Sequence, residues 1–169
     1  MANASIAQSK ARETQINTGI QGADRKEMAA SLSQALAETY VLYLKTQGFH
    51  WNVVGPLFYG LHKLTEAQYQ DLATAVDALA ERIRALGHPA PATFTAFLKL
   101  SRLKEMPGDS TTEEGLKALI ADHEAIARTF RDAVHVADDD DDIVTADMLT
   151  SRMGAHENAA WMLRSIIAH

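Results

Sequence analysis

The chain has 169 residues, enough for one ordinary domain with its own buried core. It contains no cysteine, which excludes disulfide scaffolds, thiolate metal sites, iron–sulfur clusters and a cysteine nucleophile. Its formal net charge is −6, whereas proteins that neutralise nucleic-acid phosphates are usually basic. No apolar stretch reaches the length of a membrane span and no targeting segment stands out, so we expect a soluble, cytoplasmic protein.

The N-terminal segment and the first helix differ in pattern. Residues 1–23 are rich in Ala, Gln, Ser, Thr and Asn without an apolar period, which predicts a flexible tail before one domain over residues 24–169. Asp24 and Glu27 have the spacing of a capping box. Apolar side chains then recur at steps of three and four, as in an amphipathic helix that ends near Trp51. They are Leu32, Leu36, Tyr40, Tyr43 and Leu44.

The second helix is predicted from Pro56, a residue suited to a first helical turn, to Leu86. Gly87 is typical of a helix end. Residues 88–110 then form a long connection, in which we expect one short helix over residues 94–103.

The third helix is predicted to begin with a capping box of Thr111 and Glu114 and to end near Val136. Five aspartates over residues 138–142 interrupt the pattern, and we expect a solvated loop there. Thr145 is expected to cap the fourth helix, which runs close to the C terminus.

No alternating segment of strand length stands out between these helical patterns. Four helices with a long connection between the second and third predict an all-α fold. The arrangement is a ferritin-like four-helix bundle with a crossover connection that contains the short helix.

The second helix carries an acidic stripe. His62 and Glu66 are four residues apart, as are Asp77 and Glu81, and the four side chains fall within about 100° of arc. A solvated, charged face is one interpretation of this stripe. Like charges at this spacing are mildly destabilising, however, so Asp77 and Glu81 need a cation, either the neighbouring Arg82 or a metal ion.

Geometry limits how this stripe can bind metals. Glu66 and Asp77 lie eleven residues apart, about 16 Å along a helix, whereas the ions of a two-metal site are about 3.5–4 Å apart. Two copies of the helix, antiparallel about a two-fold axis, would bring the two pairs together twice. His50 is then the natural further nitrogen ligand. None of the seven histidines follows a glutamate by three residues, so the di-iron centre inside one ferritin bundle is not expected.

Several separated motifs resemble one known family. The run His50-Trp-Asn-Val-Val-Gly-Pro-Leu-Phe58, then Leu61-His62, Asp77-Ala-Leu-Ala-Glu81-Arg82 and Leu86-Gly87, is similar to the Dps family, the DNA-binding proteins from starved cells or miniferritins. Residues 145–149 and Trp161-Met-Leu163 resemble the family's last helix. The resemblance spans about residues 25–167.

The resemblance implies a hollow dodecamer with di-iron ferroxidase centres at its two-fold interfaces. It assigns His50, His62 and Glu66 to one chain of each centre, and Asp77 and Glu81 to the neighbouring chain. Many members have aspartate in place of Glu66, which leaves open whether Glu66 is a direct ligand. These oxygen and nitrogen ligands suit Fe(II), and Zn(II) or Mn(II) would compete.

The resemblance also implies a mechanism, in which two Fe(II) ions are oxidised by hydrogen peroxide in preference to dioxygen and ferric mineral grows in the cavity. Trp51 would lie beside the centre and donate an electron when only one iron is present; ordinary packing is the alternative for this side chain. Asp147 matches the acidic pore through which iron enters, and the aspartates of residues 138–142 would steer cations.

Two other functions compete with a ferroxidase. Some Dps proteins compact the nucleoid by binding DNA through basic tails, but the basic residues here are few: Lys10, Arg12, Arg25 and Lys26. With a net charge of −6 per chain, we expect weak DNA binding or none. A purely structural bundle is the third interpretation, and it leaves the acidic stripe unexplained.

Overall fold

The computed structural model describes residues 16–168 and contains only helices in this part of the chain. They are α1 (Gly22–Asn52), α2 (Phe58–Ala85), α3 (Phe94–Leu100), α4 (Thr112–Asp139) and α5 (Ile143–Ile167). The predicted all-α class, the four long helices and the short helix in the connection are confirmed. No helix within the described range is long and apolar enough to cross a membrane.

The order of the helices produces a crossover bundle. α1 and α2 run antiparallel and meet where Tyr43 packs edge-on against Tyr69. After α2 the chain passes through α3 and returns to the other end of the bundle, where the Thr112 hydroxyl donates to the Val54 carbonyl at 3.2 Å. α4 therefore begins beside the end of α1 and runs parallel to α2, and α5 packs antiparallel along α4. This is the ferritin-like arrangement that the sequence predicted.

Apolar side chains from the four long helices form one core. Their burial is the main stabilising contribution to such a bundle. The largest fully buried ones are Met28, Leu32, Leu36, Leu42, Leu61, Leu72, Leu79, Ile83, Leu116, Leu119, Ile126 and Phe130. Gly115 lets α4 approach α1 closely, since a Cβ at this position would lie 2.6 Å from Cδ2 of Phe49. This contact fixes the last turn of α1, which carries His50.

Buried polar contacts set the register between α1 and α4. Oε2 of Glu38 accepts a hydrogen bond from the Thr129 hydroxyl at 2.7 Å, and Oε1 accepts one from Nε of Arg102 at 3.0 Å. About two turns further along the bundle, Lys45 forms an ion pair with Asp122. Burial raises the pKa of Asp122, and the Lys45 ammonium opposes that shift. Of these contacts, the hydrogen bond of Arg102 to Glu38 also holds the crossover connection against the bundle.

The helix ends only partly follow the predictions. The capping box of Thr111 and Glu114 is confirmed, with both of its hydrogen bonds present. The capping box of Asp24 and Glu27 is wrong, because α1 already begins at Gly22 and its first turn has no side-chain cap. α2 begins two residues after Pro56.

The aspartate run holds a structural residue. Asp142, and not Thr145, caps α5, because the Asp142 carboxylate accepts the Thr145 amide at 3.1 Å. Asp142 is 1% exposed and forms an ion pair with Nη2 of Arg82 at 2.5 Å. The expectation of a solvated loop is therefore wrong for Asp142. Arg82 is engaged here as well, so it does not balance the charges of the acidic stripe.

The start of the described chain packs against the bundle. Ile20 packs against the core, and a Cβ at Gly87 would lie 2.5 Å from Cδ1 of Ile16. Gly87 also has a φ of +93°, a conformation that favours glycine. The predicted flexible tail falls largely on residues 1–15, outside the described residues, and stays a prediction.

Candidate metal centre

Two histidines join the end of α1 to the start of α2. His50 is buried and His62 is half-buried, and their rings stack with centroids 3.8 Å apart. Nδ1 of His50 lies 2.8 Å from the His62 carbonyl oxygen, and Nδ1 of His62 lies 3.0 Å from the His50 carbonyl oxygen. The two residues therefore fasten the two helices together through reciprocal hydrogen bonds.

These hydrogen bonds decide which ring nitrogen is available for a metal. A carbonyl oxygen only accepts, so each Nδ1 carries the proton and donates it. In the neutral imidazole, Nε2 of each ring then keeps a lone pair. Metal-binding histidines typically have this arrangement, in which the hydrogen bond of one nitrogen orients the other toward the ion.

Aromatic rings enclose the histidine pair. Phe58 stacks on His62 with a centroid distance of 5.1 Å, and the edge of Tyr69 meets His50 at 5.2 Å. Neither contact was predicted from the sequence. The spacing does place Tyr69 on the same face of α2 as His62, because it follows His62 by seven residues, or about two helical turns.

Glu66 lies one turn after His62 on α2. Its Oε2 is 2.8 Å from Nζ of Lys63, and this hydrogen bond, together with the Lys63 charge, holds the pKa of Glu66 below its ordinary value. His50 and His62 are close enough to contribute to the same shift. The carboxylate is therefore ionised beside the histidine pair, although here it pairs with a lysine.

Asp77 and Glu81 lie further along α2 and are both exposed. Neither forms an ion pair with another residue of the described chain, so the mutual repulsion at this spacing has no compensating cation here. Arg82, the nearest candidate, is bound to Asp142 on α5.

One copy of the chain does not complete a metal site. Among residues 16–168, no three histidine or carboxylate side chains gather closely enough to hold an ion. The helix α2 is continuous between Glu66 and Asp77, which keeps Glu66 away from the carboxylate pair of Asp77 and Glu81. The donors themselves fit iron, since imidazole nitrogens and carboxylate oxygens suit a metal of borderline hardness.

Two further predicted residues lie on the surface of the single chain. Trp51 is 62% exposed, and within the described range no aromatic ring packs against it. Asp147 is exposed on the second turn of α5, shortly after the aspartate run. The structure brings neither of them to the histidine pair.

A second histidine pair lies in the core between α4 and α5. His123 is 2% exposed and His156 is 1% exposed, and their Nδ1 atoms are 2.9 Å apart. Burial lowers the pKa of His123 to about 4, and burial likewise lowers that of His156. No local sequence pattern indicates this pair, because the two residues lie 33 positions apart.

Comparison with known proteins identifies the family. The family model of the ferritin-like domain matches residues 29–169. A low temperature-induced protein of Nostoc sp. is 44% identical over 154 residues, which cover 90% of this chain and 86% of that protein. DNA protection during starvation protein 2 of Bacillus anthracis is 34% identical over 142 residues, or 84% of this chain and 97% of that protein. The chain belongs to the Dps family of ferritin-like proteins.

Solved structures of Dps proteins share the fold of this chain. The crystal structure of the Dps protein from Vibrio cholerae O1 matches with a TM-score of 0.86 and 28% identity, covering 92% of this chain and 98% of that one. That protein is a member of a broad superfamily of ferritin-like diiron-carboxylate proteins. The histidines and carboxylates of the present Dps chain are of the ligand types that this class requires.

Proposed function

We propose that this Dps protein is an iron-storing ferroxidase that oxidises Fe(II) with hydrogen peroxide in preference to dioxygen. The observation that carries the proposal is the reciprocal hydrogen bonding of His50 and His62, which leaves both Nε2 atoms ready to bind a metal ion. A histidine pair that only fastened two helices together would not need the three carboxylates Glu66, Asp77 and Glu81 on the same helix.

The sites form between two copies of the chain. When two α2 helices lie antiparallel about a two-fold axis, the end carrying His62 and Glu66 faces the end carrying Asp77 and Glu81 of the other copy. This arrangement supplies the cation that the uncompensated Asp77 and Glu81 lack. By family resemblance, the dimers assemble further into a hollow dodecamer in which ferric mineral grows.

Each residue has a proposed task at the shared site. His50 and His62 fix the positions of the incoming Fe(II) substrate, while Asp77 and Glu81 balance the charge that rises on oxidation. Two Fe(II) ions donate two electrons, which reduce peroxide to water without release of hydroxyl radical. Glu66 would exchange Lys63 for iron, and Trp51 is the residue that family resemblance proposes as an additional electron donor.

Iron has to reach these sites from outside the shell. We propose Asp147 as the residue that lines the acidic pores, with the exposed aspartates upstream of it attracting cations by their field. Zn(II) and Mn(II) are expected to compete with Fe(II), because the same ligand types bind them. A cytoplasmic location stays a prediction from the sequence.

The proposed activity is tested by anaerobic Fe(II) oxidation after addition of hydrogen peroxide, compared with the same assay in air. His62→Ala and Asp77→Ala should each lose the peroxide-driven reaction. His135→Ala and Asp132→Ala are matched controls, because both residues are exposed on α4 away from the histidine pair. Oxidation no faster than in a protein-free solution would overturn the proposal.

DNA binding is the second candidate function, and it is favoured by the name of the Bacillus anthracis relative, a DNA protection protein. The net charge of −6 per chain opposes it, since a shell of such chains repels phosphate. We expect weak binding or none at physiological salt. A gel shift that is complete at moderate salt, and lost when residues 1–23 are deleted, would favour DNA protection instead.

A further inference from the structure

We propose that Lys63 is a displaceable counter-ion of the shared metal centre, which stabilises the metal-free contact between two copies of the chain and competes with metal ions for Glu66. This inference rests on the proposed function, which places the centre between two chains. It assigns two opposite effects to one side chain, because an ammonium group that favours the empty centre weakens the binding of metal ions.

The Lys63 ammonium lies beside the histidine pair. Its Nζ is 2.8 Å from Oε2 of Glu66, and this hydrogen bond and the Lys63 charge lower the pKa of Glu66. His50 and His62 add to the same shift, so both rings are within electrostatic reach of the carboxylate. A cation therefore already occupies Glu66 where the proposed centre would use it for a metal ion. The Lys63 side chain is exposed, so it can leave without disturbing the core.

The proposed centre has an excess of negative charge. It brings together three carboxylates, Glu66 from one chain and Asp77 and Glu81 from the other. Within the described residues, Asp77 and Glu81 are exposed and form no ion pair, and Arg82 is bound on α5 instead. Neutral imidazoles, the form that binds metals, add no positive charge. The carboxylates repel one another more strongly once the contact excludes water, and the Lys63 charge offsets part of this repulsion.

Metal ions and Lys63 compete for the same carboxylate. A divalent ion carries two charges and forms a coordinate bond to oxygen, whereas the lysine ammonium is a strongly hydrated single charge on a flexible stem. Metal binding therefore displaces the ammonium into solvent. Because Lys63 is only three residues from Glu66, it competes at a high effective concentration that does not depend on dilution of the protein. Removal of its charge should strengthen metal binding.

An ordinary helix-stabilising ion pair is the alternative for these two residues. At helical spacing, an acidic residue before a basic one is the more stabilising order, and in this pair Lys63 precedes Glu66. Glu113 and Lys117 on α4 form an exposed pair in the favourable order. Lys117 contacts none of the proposed metal ligands in the described part of the chain, so this pair is a matched control.

The test compares Lys63→Met with the unmodified full-length protein. Methionine keeps a long flexible side chain but removes the charge. Isothermal titration calorimetry with Zn(II), which binds without being oxidised, should show an affinity about 2- to 5-fold higher in the variant, the range expected when one exposed ion pair no longer competes. In EDTA, mass photometry should show that the assembly of the variant dissociates at a higher protein concentration. Excess Zn(II) in place of EDTA should restore the assembly.

Two further variants separate the effect of charge from other effects of the substitution. Lys63→Arg should bind Zn(II) and assemble like the unmodified protein, because the guanidinium group keeps the positive charge. Lys117→Met removes the lysine of the control pair and should change neither the Zn(II) affinity nor the metal-free assembly.

Several results would overturn the inference. Equal or weaker Zn(II) binding by Lys63→Met would show that Lys63 does not compete with metal ions. Metal-free assembly as stable as that of the unmodified protein would show that it is not a counter-ion, and absence of Zn(II) binding by the unmodified protein would overturn both parts. Failure of the proposed function is distinct, because Zn(II) binding and both Lys63 effects would then be present while Fe(II) is oxidised no faster than in a protein-free solution.

Discussion

Two histidine pairs occupy this bundle, and they differ in the atom to which each Nδ1 is bonded. In the pair of His50 and His62, both Nδ1 atoms donate to carbonyl oxygens, and both Nε2 atoms keep a lone pair. In the pair of His123 and His156, the Nδ1 atoms bond to each other, so one ring must accept and the other must donate.

The surroundings of the two histidine pairs also differ. An ionised carboxylate, Glu66, lies one turn from His62, whereas the second pair is enclosed in the core, where burial holds the pKa of His123 at about 4. The comparison teaches that two histidines in contact do not by themselves indicate a metal site. The partner of Nδ1, the access of Nε2 and the nearest carboxylate decide the role.

The largest expected effect is on Fe(II) oxidation, which should depend on the pair of His50 and His62 and not on the pair of His123 and His156. His62→Ala should reduce peroxide-driven Fe(II) oxidation to the rate of a protein-free solution, because it removes a proposed ligand. His156→Ala should retain the oxidation at a temperature where the variant is folded. Stopped-flow absorbance of ferric product measures both rates. Equal losses in the two variants would contradict the division of roles.

Acid should destabilise the folded protein through the core pair of His123 and His156. The folded state keeps His123 neutral down to about pH 4, while the unfolded chain takes up its proton near pH 6.5. The contribution to stability is thus complete above pH 6.5 and is lost as the pH falls toward 4, by about 3 kcal/mol for His123. Urea unfolding at fixed protein concentration, at pH 7.5 and pH 5, measures the slope.

The control for this pH dependence is the double variant His123→Leu/His156→Leu, which lacks both titrating groups. Its stability should fall less steeply with acid than that of the unmodified protein. An unchanged slope would assign the acid sensitivity to other groups of the chain.

Replacing one histidine of the core pair should destabilise the protein more than replacing both. His123→Leu or His156→Leu alone leaves the other imidazole buried without its partner, at a cost of about 1–3 kcal/mol. Replacing both with apolar side chains of similar size should be closer to neutral. A double-mutant cycle by urea unfolding at pH 7.5 measures the coupling. Additive effects would show that the hydrogen bond contributes nothing.

The smallest expected effect is a change in stability when the contact of Gly115 with Phe49, the residue before His50, is crowded. Gly115→Ala places a methyl group against the buried Phe49 ring and should destabilise the protein by about 1–2 kcal/mol, after a gain in helix propensity. Gly154→Ala is the matched control, because α5 has open space there, and it should stabilise by about 0.5–1 kcal/mol. Thermal unfolding distinguishes the two. A stabilising Gly115→Ala would contradict the close approach.

Helical period, capping chemistry and one long connection were sufficient to predict the bundle. They were sufficient because α2 and α4 each carry a regular apolar face and Thr111 and Glu114 form a local capping box. The role of Asp142 was missed, since its partner Arg82 lies 60 residues away and a run of like charges resembles a loop.

The candidate site was predictable only in part for the same reason. The spacing of His62 and Glu66 and of Asp77 and Glu81 is local and visible in the sequence. The carbonyl partners of the histidines and the contact of Tyr69 with His50 depend on the α1–α2 register, which no local pattern specifies.

The central claim is that each metal centre is shared between two chains, and mixed assembly tests it most directly. His62→Ala and Asp77→Ala proteins, each inactive alone, would be unfolded, mixed, refolded and assayed for peroxide-driven Fe(II) oxidation. A shared centre predicts partial recovery, because some interfaces then combine an intact histidine end with an intact carboxylate end. No recovery in mixtures shown by mass spectrometry to contain both chains would contradict the account.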